Sequence, residues 1–255
     1  GMVCAAKIVE VVPDLDAKFY AATQTMDEAR HVETFSRFLQ EKVGVVYPVN
    51  KNLSVLLEDT LRDSRWDMPY LGMQVLIEGL ALAAFGVQRD LAAPNSLAKQ
   101  VLAYVMQDEA RHVAFGRISL KDYYSQISDA ERNEREEFVV EACYLMRDRL
   151  RGDEVYEALG LDVQACVDWV ETAPMLSQFR SHLFSRIVPI VKDIGLWGPK
   201  VQKAFADMGV LDMAGFDIEG MMKADEDQAE ALDKAHAEMV VRAAEVDDII
   251  TQAAS

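Results

Sequence analysis

Hydrophobic and polar residues recur at intervals of three and four along almost the whole chain, and no segment alternates convincingly with a period of two. Intervals of three and four place side chains on one face of an α-helix. Proline and glycine are sparse, whereas alanine and methionine are common, which also favours helix. The pattern therefore predicts an all-α protein.

Two similar turn signals divide the first half of this helical pattern. Pro13 with Asp14, and Pro94 with Asn95, each offer a turn followed by an N-cap. The tail is strongly charged and is predicted to be one long, largely solvated helix over about residues 218–254. The other predicted segments are a helix to about 12, a helix to about 43, a connection over 44–65 with a short helix at 55–62, helices over about 67–92 and up to about 124, and further helices broken near 152, 174, 195–199 and 209.

A repeat connects these two turn signals. The hexapeptide of residues 27–32, Asp-Glu-Ala-Arg-His-Val, recurs unchanged at 108–113, displaced by 81 residues. Pro13 and Pro94 are separated by the same interval. One helical hairpin therefore occurs twice, with the 44–65 segment as the crossover. Two antiparallel helix pairs joined by one long crossover have the connectivity of ferritin-like four-helix bundles.

Acidic side chains fall on the apolar stripes of three of these helices. Glu28 with His31, and Glu109 with His112, lie one turn apart on two helices, and Glu78 lies among apolar residues of a third. An unpaired buried carboxylate costs several kcal/mol, and these stripes carry no lysine or arginine. Oxygen and imidazole ligands suit iron or manganese, and the absence of cysteine disfavours structural zinc. The stripes therefore predict a metal site.

The paired motif, with Glu78 in an apolar third helix, resembles the ferritin-like di-iron carboxylate superfamily, in the branch of ribonucleotide reductase small subunits and di-iron oxygenases. The resemblance covers roughly residues 2–125. It implies a centre of two iron ions, or alternatively of manganese and iron. The ligands it implies are Glu28, His31, Glu78, Glu109 and His112.

The same resemblance implies partners that orient the ligands. Asp27 would hydrogen-bond His112, and Asp108 would hydrogen-bond His31, which fixes the tautomer of each imidazole. The arginines of the repeat would either pair with these aspartates or form surface ion pairs; they are Arg30 and Arg111.

One expected ligand has no counterpart in the sequence. Glu78 precedes Glu109 by 31 residues, so the matching glutamate would precede Glu28 by the same interval, before residue 1. Glu10 is a poor substitute, since about 1.5 Å of rise per residue separates it from Glu28 by roughly 16 Å along the hairpin. We therefore expect a truncated first helix that lacks the sixth ligand, and depleted metal binding.

The residues expected beside the metals are mostly apolar. They are Thr25, Phe35, Leu82, Val105 and Gly116. In reductase subunits that form a tyrosyl radical, a tyrosine stands where this chain has Phe35, so the sequence disfavours that activity. The leading hypothesis is an oxidoreductase that uses two iron ions and dioxygen to oxygenate or desaturate a small apolar substrate. The alternatives are an iron-handling ferroxidase and a non-enzymatic bundle.

Composition limits the binding partners and the cellular compartment that we expect for this protein. The net charge of −17 disfavours nucleic acid and anionic membranes as partners. Three separate cysteines favour a reducing cytoplasm. The apolar stretch 71–87 contains Gln74 and Glu78, which indicates a buried helix rather than a membrane span. The sequence also predicts two regions, a metal-binding bundle over 1–127 and additional helices over 128–255. A homodimer is one candidate assembly. The proposed oxidation would also require an electron donor, which the sequence does not identify.

Overall fold

The computed structural model of the protein describes residues 1–94 and 96–253, with side chains through Val246. This part of the chain is all-α and contains no strand, as the periodicity predicts. The helices are α1 (Met2–Val11), α2 (Leu15–Phe38, extended by a π-helical turn at Leu39–Val43), α3 (Lys51–Arg62), α4 (Asp67–Leu91), α5 (Leu97–Tyr124), α6 (Asp129–Asp148), α7 (Asp153–Ala158), α8 (Val163–Thr172), α9 (Pro174–Leu183), α10 (Ile187–Asp193), α11 (Pro199–Asp207) and α12 (Ile218–Ala253).

Side-chain caps mark where the long helices begin. Asp14 accepts a hydrogen bond from the backbone N–H of Ala17 (2.8 Å) at the start of α2. At the start of α5 the cap is Ser96, which accepts from the N–H of Lys99 (3.2 Å). The sequence predicted Asn95 as this cap; Asn95 lies outside the described residues, and the capping position belongs to its neighbour.

Helices α1 and α2 form an antiparallel hairpin. Near the turn, Lys18 Nζ donates to the carbonyl of Val9 (2.7 Å). At the other end of the hairpin, Gly1 lies against the carboxyl group of Glu28. The first turn of α1 therefore meets the middle of α2.

Helices α4 and α5 form a second antiparallel hairpin, in which Gly86 lies against Met106 near the turn and Gln74 lies against Gly116 farther away. Helix α2 runs parallel to α4 and antiparallel to α5. Its Phe35 ring lies 5.7 Å from the Phe85 ring of α4. The residues of the 44–65 connection join the two hairpins and include α3, which is four residues longer at its start than predicted.

The first part of α4 is π-helical over Tyr70–Ile77, which the 3.6-residue pattern did not predict. Short π-helical segments occur frequently at functional sites. The π-helical segment of α4 is closely packed against α5. A Cβ added at Gly116 of α5 would stand only 2.7 Å from the Gln74 side chain. Glu78 begins the regular α-helix that follows.

The later helices complete one apolar core with the first five. A single buried cluster contains residues from both sides of residue 128, including Val113, Val139, Ile187 and Phe205. The division into regions 1–127 and 128–255 stays a prediction. Helix α12 packs along α5 and is mostly exposed through Val246, which confirms the predicted charged and largely solvated tail.

Helix α4 is long and apolar enough to cross a membrane, and no other helix of the described chain is. Its most apolar window has a mean hydropathy of 1.6, but 67% of that window is buried inside the protein. Length and composition alone are therefore weak evidence for a membrane span, and α4 is the central helix of the core.

Candidate metal centre

Three helices bring the predicted ligands together in the interior. Glu28 and His31 come from α2, Glu78 from α4, and Glu109 and His112 from α5. All five side chains are buried, with residue exposures between 1% and 6%. Ionisable groups are seldom buried so completely unless they are paired or bound to a metal.

Four of these residues form a group that could hold a metal ion. One ligand atom from each of Glu28, Glu78, Glu109 and His112 lies within 4.8 Å of the others. His31 lies beside this group, because its Nδ1 is 3.4 Å from Glu109 Oε1 and 3.9 Å from Glu28 Oε2. An all-helical protein with this buried cluster is compatible with a ferritin-like fold.

The carboxyl groups of Glu28 and Glu109 each stand between the two imidazoles. Glu109 directs Oε1 toward His31 Nδ1 (3.4 Å) and Oε2 toward His112 Nδ1 (3.5 Å). Glu28 likewise has Oε2 near His31 and Oε1 near His112, at 3.9 and 3.7 Å. Glu78 Oε1 lies 3.9 Å from His112 Nδ1, so the third carboxyl group lies toward His112.

Five ligand atoms of this cluster have no hydrogen-bond partner. They are buried and include the Nδ1 atoms of both histidines and one carboxyl oxygen of each glutamate: Glu28 Oε1, Glu78 Oε2 and Glu109 Oε2. Buried polar atoms are nearly always satisfied in folded proteins. Five convergent oxygen and nitrogen acceptors without donors fit a cation as their missing partner.

The outward nitrogen of each histidine has an aspartate partner from the other hairpin. His31 Nε2 lies 3.1 Å from Asp108 Oδ2, and His112 Nε2 lies 3.3 Å from Asp27 Oδ2. An Nε2–H that donates to a carboxylate leaves a lone pair on Nδ1, which points into the cluster. The aspartates thus set both imidazoles in the tautomer that a metal ion requires.

The arginines of the repeat contact the two aspartates that orient the histidines. Arg30 pairs with Asp27 and, at 3.4 Å, with Asp108. Arg111 pairs with Asp108. Since both arginines are more than half exposed, these are surface ion pairs that also contact the aspartates. Both alternatives that the sequence left open, pairing with the aspartates and surface ion pairing, are therefore present in the same contacts.

Ionisation of all three carboxyl groups of the cluster is unfavourable without added positive charge. Burial raises the pKa of Glu78 well above its usual value, and the neighbouring Glu109 and Glu28 raise it further. Burial and Glu109 also raise the pKa of Glu28. Burial opposes ionisation of Glu109 too, but the facing imidazoles of His112 and His31 outweigh it and lower its pKa.

His31 responds to the same negative surroundings. Burial alone would lower the pKa of His31, but Asp108 and Glu109 outweigh it and raise the value to about 9. Burial would also raise the pKa of Asp108, yet its contact with His31 and the nearby Arg111 lower it. The surroundings of His31 therefore favour positive charge, which a bound cation would supply.

Two glutamines that the sequence did not predict as part of the site support Glu78. Gln24 Nε2 donates to Glu78 Oε1 (2.9 Å), and Gln74 Nε2 donates to Gln24 Oε1 (2.6 Å). Both glutamines are fully buried. In the sequence Gln74 stands out only as an interruption of an apolar stretch, and a glutamine inside such a stretch is the signal that could have revealed this network.

The assignment of these residues to a pocket beside the metals stays a prediction. Leu82 and Val105 are buried, and Phe35 packs on a ring of α4. Thr25 is half-buried and its hydroxyl donates to the backbone of its own helix. Gly116 lies directly against the Gln74 side chain.

An apolar opening lies between α4, α5 and α12. It has a volume of about 350 Å³. Leu82 is the single predicted pocket residue that lines it. Its walls also include Ala103, Met106, Ala229, Leu232 and Arg89.

Glu10, which the predicted height difference excludes as a ligand, lies away from the cluster. Its side chain is 74% exposed and stands 3.9 Å from Lys7. The end of α1 that meets the cluster is the one at Gly1, which contacts Glu28. A further ligand upstream of residue 1 stays a prediction.

Comparison of the chain with protein-family models and with curated proteins gives no match.

Proposed function

We propose that the protein is a ferritin-like, non-haem di-iron oxidoreductase that uses dioxygen on a small apolar substrate. The observation that carries the proposal is the set of five buried, unpartnered ligand atoms that converge from α2, α4 and α5. The two antiparallel hairpins and the crossover between them support a ferritin-like bundle, since such bundles use two Glu-x-x-His helices in this way.

The geometry supports two metal positions rather than one. Glu28 and Glu109 each direct one oxygen toward each histidine, so both carboxylates would help to hold an ion beside either imidazole. One ion would be held beside His31 and the other beside His112. Glu78 would belong to the ion beside His112.

Iron, when bound, would supply the electrons that activate dioxygen. The residues of the chain then have separate tasks. Asp27 and Asp108 hold the histidines in the ligating tautomer. Gln24 orients the Glu78 carboxyl group, and the apolar surroundings exclude water from the reacting atoms. Imidazole and carboxylate also suit manganese, so a mixed manganese and iron centre is the alternative.

The apolar opening between α4, α5 and α12 supports the choice of substrate. Leu82 follows Glu78 by one helical turn, and Met106 precedes Glu109 by one turn, so both stand a single layer from the ligands. Pockets of a few hundred cubic ångströms with mostly apolar walls are typical of small-molecule sites. We therefore place the organic substrate in this opening.

Anaerobic titration with ferrous iron, followed by dioxygen, tests the proposal. The superfamily signature sets an upper limit of about two iron ions per chain, the expected depletion lowers the occupancy below it, and a visible absorption band should follow oxidation. His112→Ala should lose iron while it keeps its helicity. His182→Ala, an exposed histidine on α9, is the matched control and should bind iron normally. Iron content that is unchanged in His112→Ala would refute the ligand assignment.

The same experiment separates oxidation of a substrate from iron handling. A protein that keeps its two ions through repeated additions of dioxygen and reductant behaves as an oxidase. Accumulation of many ferric ions per chain would indicate a ferroxidase instead. Failure to bind any iron or manganese would exclude both functions for this chain.

A further inference from the structure

Helix α12 lies across α5 but contributes almost nothing to the hydrophobic core. None of the side chains that the structure describes on α12, those of residues 218–246, is buried. Met222 is the one among them that packs against the core cluster. Helix α5 beneath it has buried side chains from Leu102 to Tyr124. Since burial of apolar surface is the main force between packed helices, little of that force holds α12 in place.

The contacts that hold α12 are polar. Arg117 Nη2 donates to Glu219 Oε1 (2.6 Å), and Arg186 Nη2 donates to Asp225 Oδ1 (2.8 Å). Side-chain hydrogen bonds with α4 and α5 follow farther along the helix: Arg89 with Gln228 (2.7 Å), Gln107 with Asp233 (2.9 Å) and Tyr104 with His236 (3.3 Å). Ion pairs near a protein surface add little stability, and salt weakens them further.

Asp225 is the anchor among these contacts. Two guanidinium nitrogens of Arg186 donate to its two carboxyl oxygens, and the Asp225 side chain is only 11% exposed. A bidentate pair of this kind is stronger than a single hydrogen bond. Asp227, two residues farther along, is exposed and pairs with Lys223 of the same helix (2.7 Å). Asp225 therefore fixes α12 to the rest of the protein, whereas Asp227 does not.

Unfilled space remains between α12 and the helices beneath it. The apolar opening of about 350 Å³ lies between α4, α5 and α12, and a second opening of about 560 Å³ lies between α5 and α12. Gln107, Asp225 and Ala229 belong to the walls of both openings. Protein interiors are close-packed, so a helix bordered by two such openings is not packed as part of the interior.

A short exposed connection joins α12 to the preceding chain. Ala214 packs against the core, and its carbonyl accepts a hydrogen bond from Lys192 Nζ (3.1 Å). The three residues that follow, 215–217, are all exposed, and α12 begins directly after them. Rotation about a few backbone bonds of such a connection moves a helix as a rigid body and leaves the core undisturbed.

From these contacts we infer that α12 is a displaceable cover over the apolar opening, hinged at residues 215–217. When the Arg186–Asp225 pair breaks, α12 swings away from α5. The apolar walls of the opening on α4 and α5 then become accessible; they are Leu82, Ala103 and Met106. The cover itself stands on these contacts alone, and its role in admitting a small apolar substrate rests on the proposed function.

Thiol labelling of the full-length, metal-free chain tests the cover. Ala103→Cys places a thiol in the wall of the opening, and Cys166→Ser removes the partly exposed native cysteine. A maleimide on a long polyethylene glycol chain is too large for an opening of about 350 Å³, so it reacts after α12 has moved. We expect Asp225→Asn to speed this labelling about 10-fold, because a charged hydrogen-bond pair is lost. The matched control Asp227→Asn should leave the rate unchanged.

Two further measurements separate displacement of α12 from unfolding. Cys143 is fully buried in the core, so its labelling reports unfolding of the whole protein. Sodium chloride raised from about 0.05 to about 1 M should speed labelling of Ala103→Cys about 10-fold without any substitution in α12, because salt screens the ion pairs. Ala224→Cys, at an exposed position of α12, measures the effect of salt on the reagent itself.

Two results would overturn the cover. One is an equal labelling rate in Asp225→Asn and Asp227→Asn, and the other is a salt response of Ala103→Cys no larger than that of Ala224→Cys. If Asp225→Asn also labels Cys143 faster, the salt response of the unsubstituted helix decides.

Dye binding tests the role of the cover at the opening. Anilinonaphthalene sulfonate should enter about 10-fold faster in Asp225→Asn than in Asp227→Asn, measured by stopped-flow fluorescence without iron. An unchanged rate of dye entry alongside faster thiol labelling would overturn the role in admitting substrate. Because both measurements are made without metal, a failure to bind iron would overturn the proposed function and would leave the cover standing.

Discussion

Replacement of Glu78 by glutamine should change stability in opposite directions with and without metal. Glu78 is 3% exposed, Gln24 is the donor to one of its oxygens, and its other oxygen has no partner. Glutamine keeps the shape and the acceptor but removes the charge. A buried polar group without a partner costs about 1–3 kcal/mol in mutational data, so metal-free Glu78→Gln should be about 2 kcal/mol more stable near pH 7.

The pH dependence of this difference has a definite sign. Burial raises the pKa of Glu78 in the folded protein above its unfolded value of about 4.3. The wild type therefore loses stability relative to the variant as pH rises above the unfolded value, because the folded carboxyl group resists ionisation. The advantage of Glu78→Gln should be present at neutral pH and should vanish below about pH 4.

Metal should reverse the order of stability. A divalent ion at 100 times its dissociation constant stabilises the folded wild type by about 2.7 kcal/mol, and Glu78→Gln has lost one ligand. Thermal unfolding with and without manganous ion, which avoids iron oxidation, measures both states. A gain of about 2 kcal/mol corresponds to roughly 4–8 °C in a protein of this size.

The control for this experiment is Glu33→Gln, an exposed carboxylate on α2. It should shift neither the metal-free nor the metal-bound transition. Two results would refute our interpretation of Glu78. One is a metal-free Glu78→Gln that is less stable than the wild type, and the other is equal stabilisation of both proteins by manganese.

Three further predictions concern packing and the substrate opening. Gly116→Ala should destabilise the protein by about 1–3 kcal/mol in urea unfolding, because its Cβ would overlap Gln74. Arg135→Met should cost about 3–5 kcal/mol in the same assay, since it leaves Asp67 buried without its cation. Ala229→Trp should fill the opening beside α12 and weaken the binding of anilinonaphthalene sulfonate, measured by fluorescence, with iron content unchanged.

Each of these predictions has its own contrary result. An exposed alanine on α12, Ala224, supplies the matched control for the tryptophan variant, and Ala224→Trp should bind the dye normally. Undiminished dye binding in Ala229→Trp would remove the opening as a ligand site. Gly116→Ala with wild-type stability would mean that Gln74 can move aside, and an unchanged stability in Arg135→Met would mean that Asp67 does not depend on this cation.

Helix positions and the cluster were predictable from sequence because both depend on short-range spacing. The repeat placed Glu28, His31, Glu109 and His112 on inward stripes, and the structure buries all four. Not every apolar residue of the repeat is buried, since Val32 on α2 is 54% exposed. Three- and four-residue spacings define a broad face, and its edges depend on how neighbouring helices cross.

What sequence reasoning missed depends on contacts between distant segments. Gln24 and Gln74 are 50 residues apart, and their shared hydrogen bond follows from the way α2 lies on α4. The sequence gives no sign that the Gln74 side chain lies directly against Gly116. The π-helical stretch over Tyr70–Ile77 changes the register of α4, and a periodicity of 3.6 carries no sign of it.

Each imidazole of the cluster is oriented by a carboxylate from the opposite copy of the repeat. An isolated α4–α5 hairpin would present Glu78, Glu109 and His112 but would lack Asp27, so its histidine could adopt either tautomer. Neither half of the duplication can thus build a finished ion-binding pocket by itself. Ion capture should therefore strengthen the docking of the two hairpins, and chelators should loosen the contact between the halves before they unwind any helix.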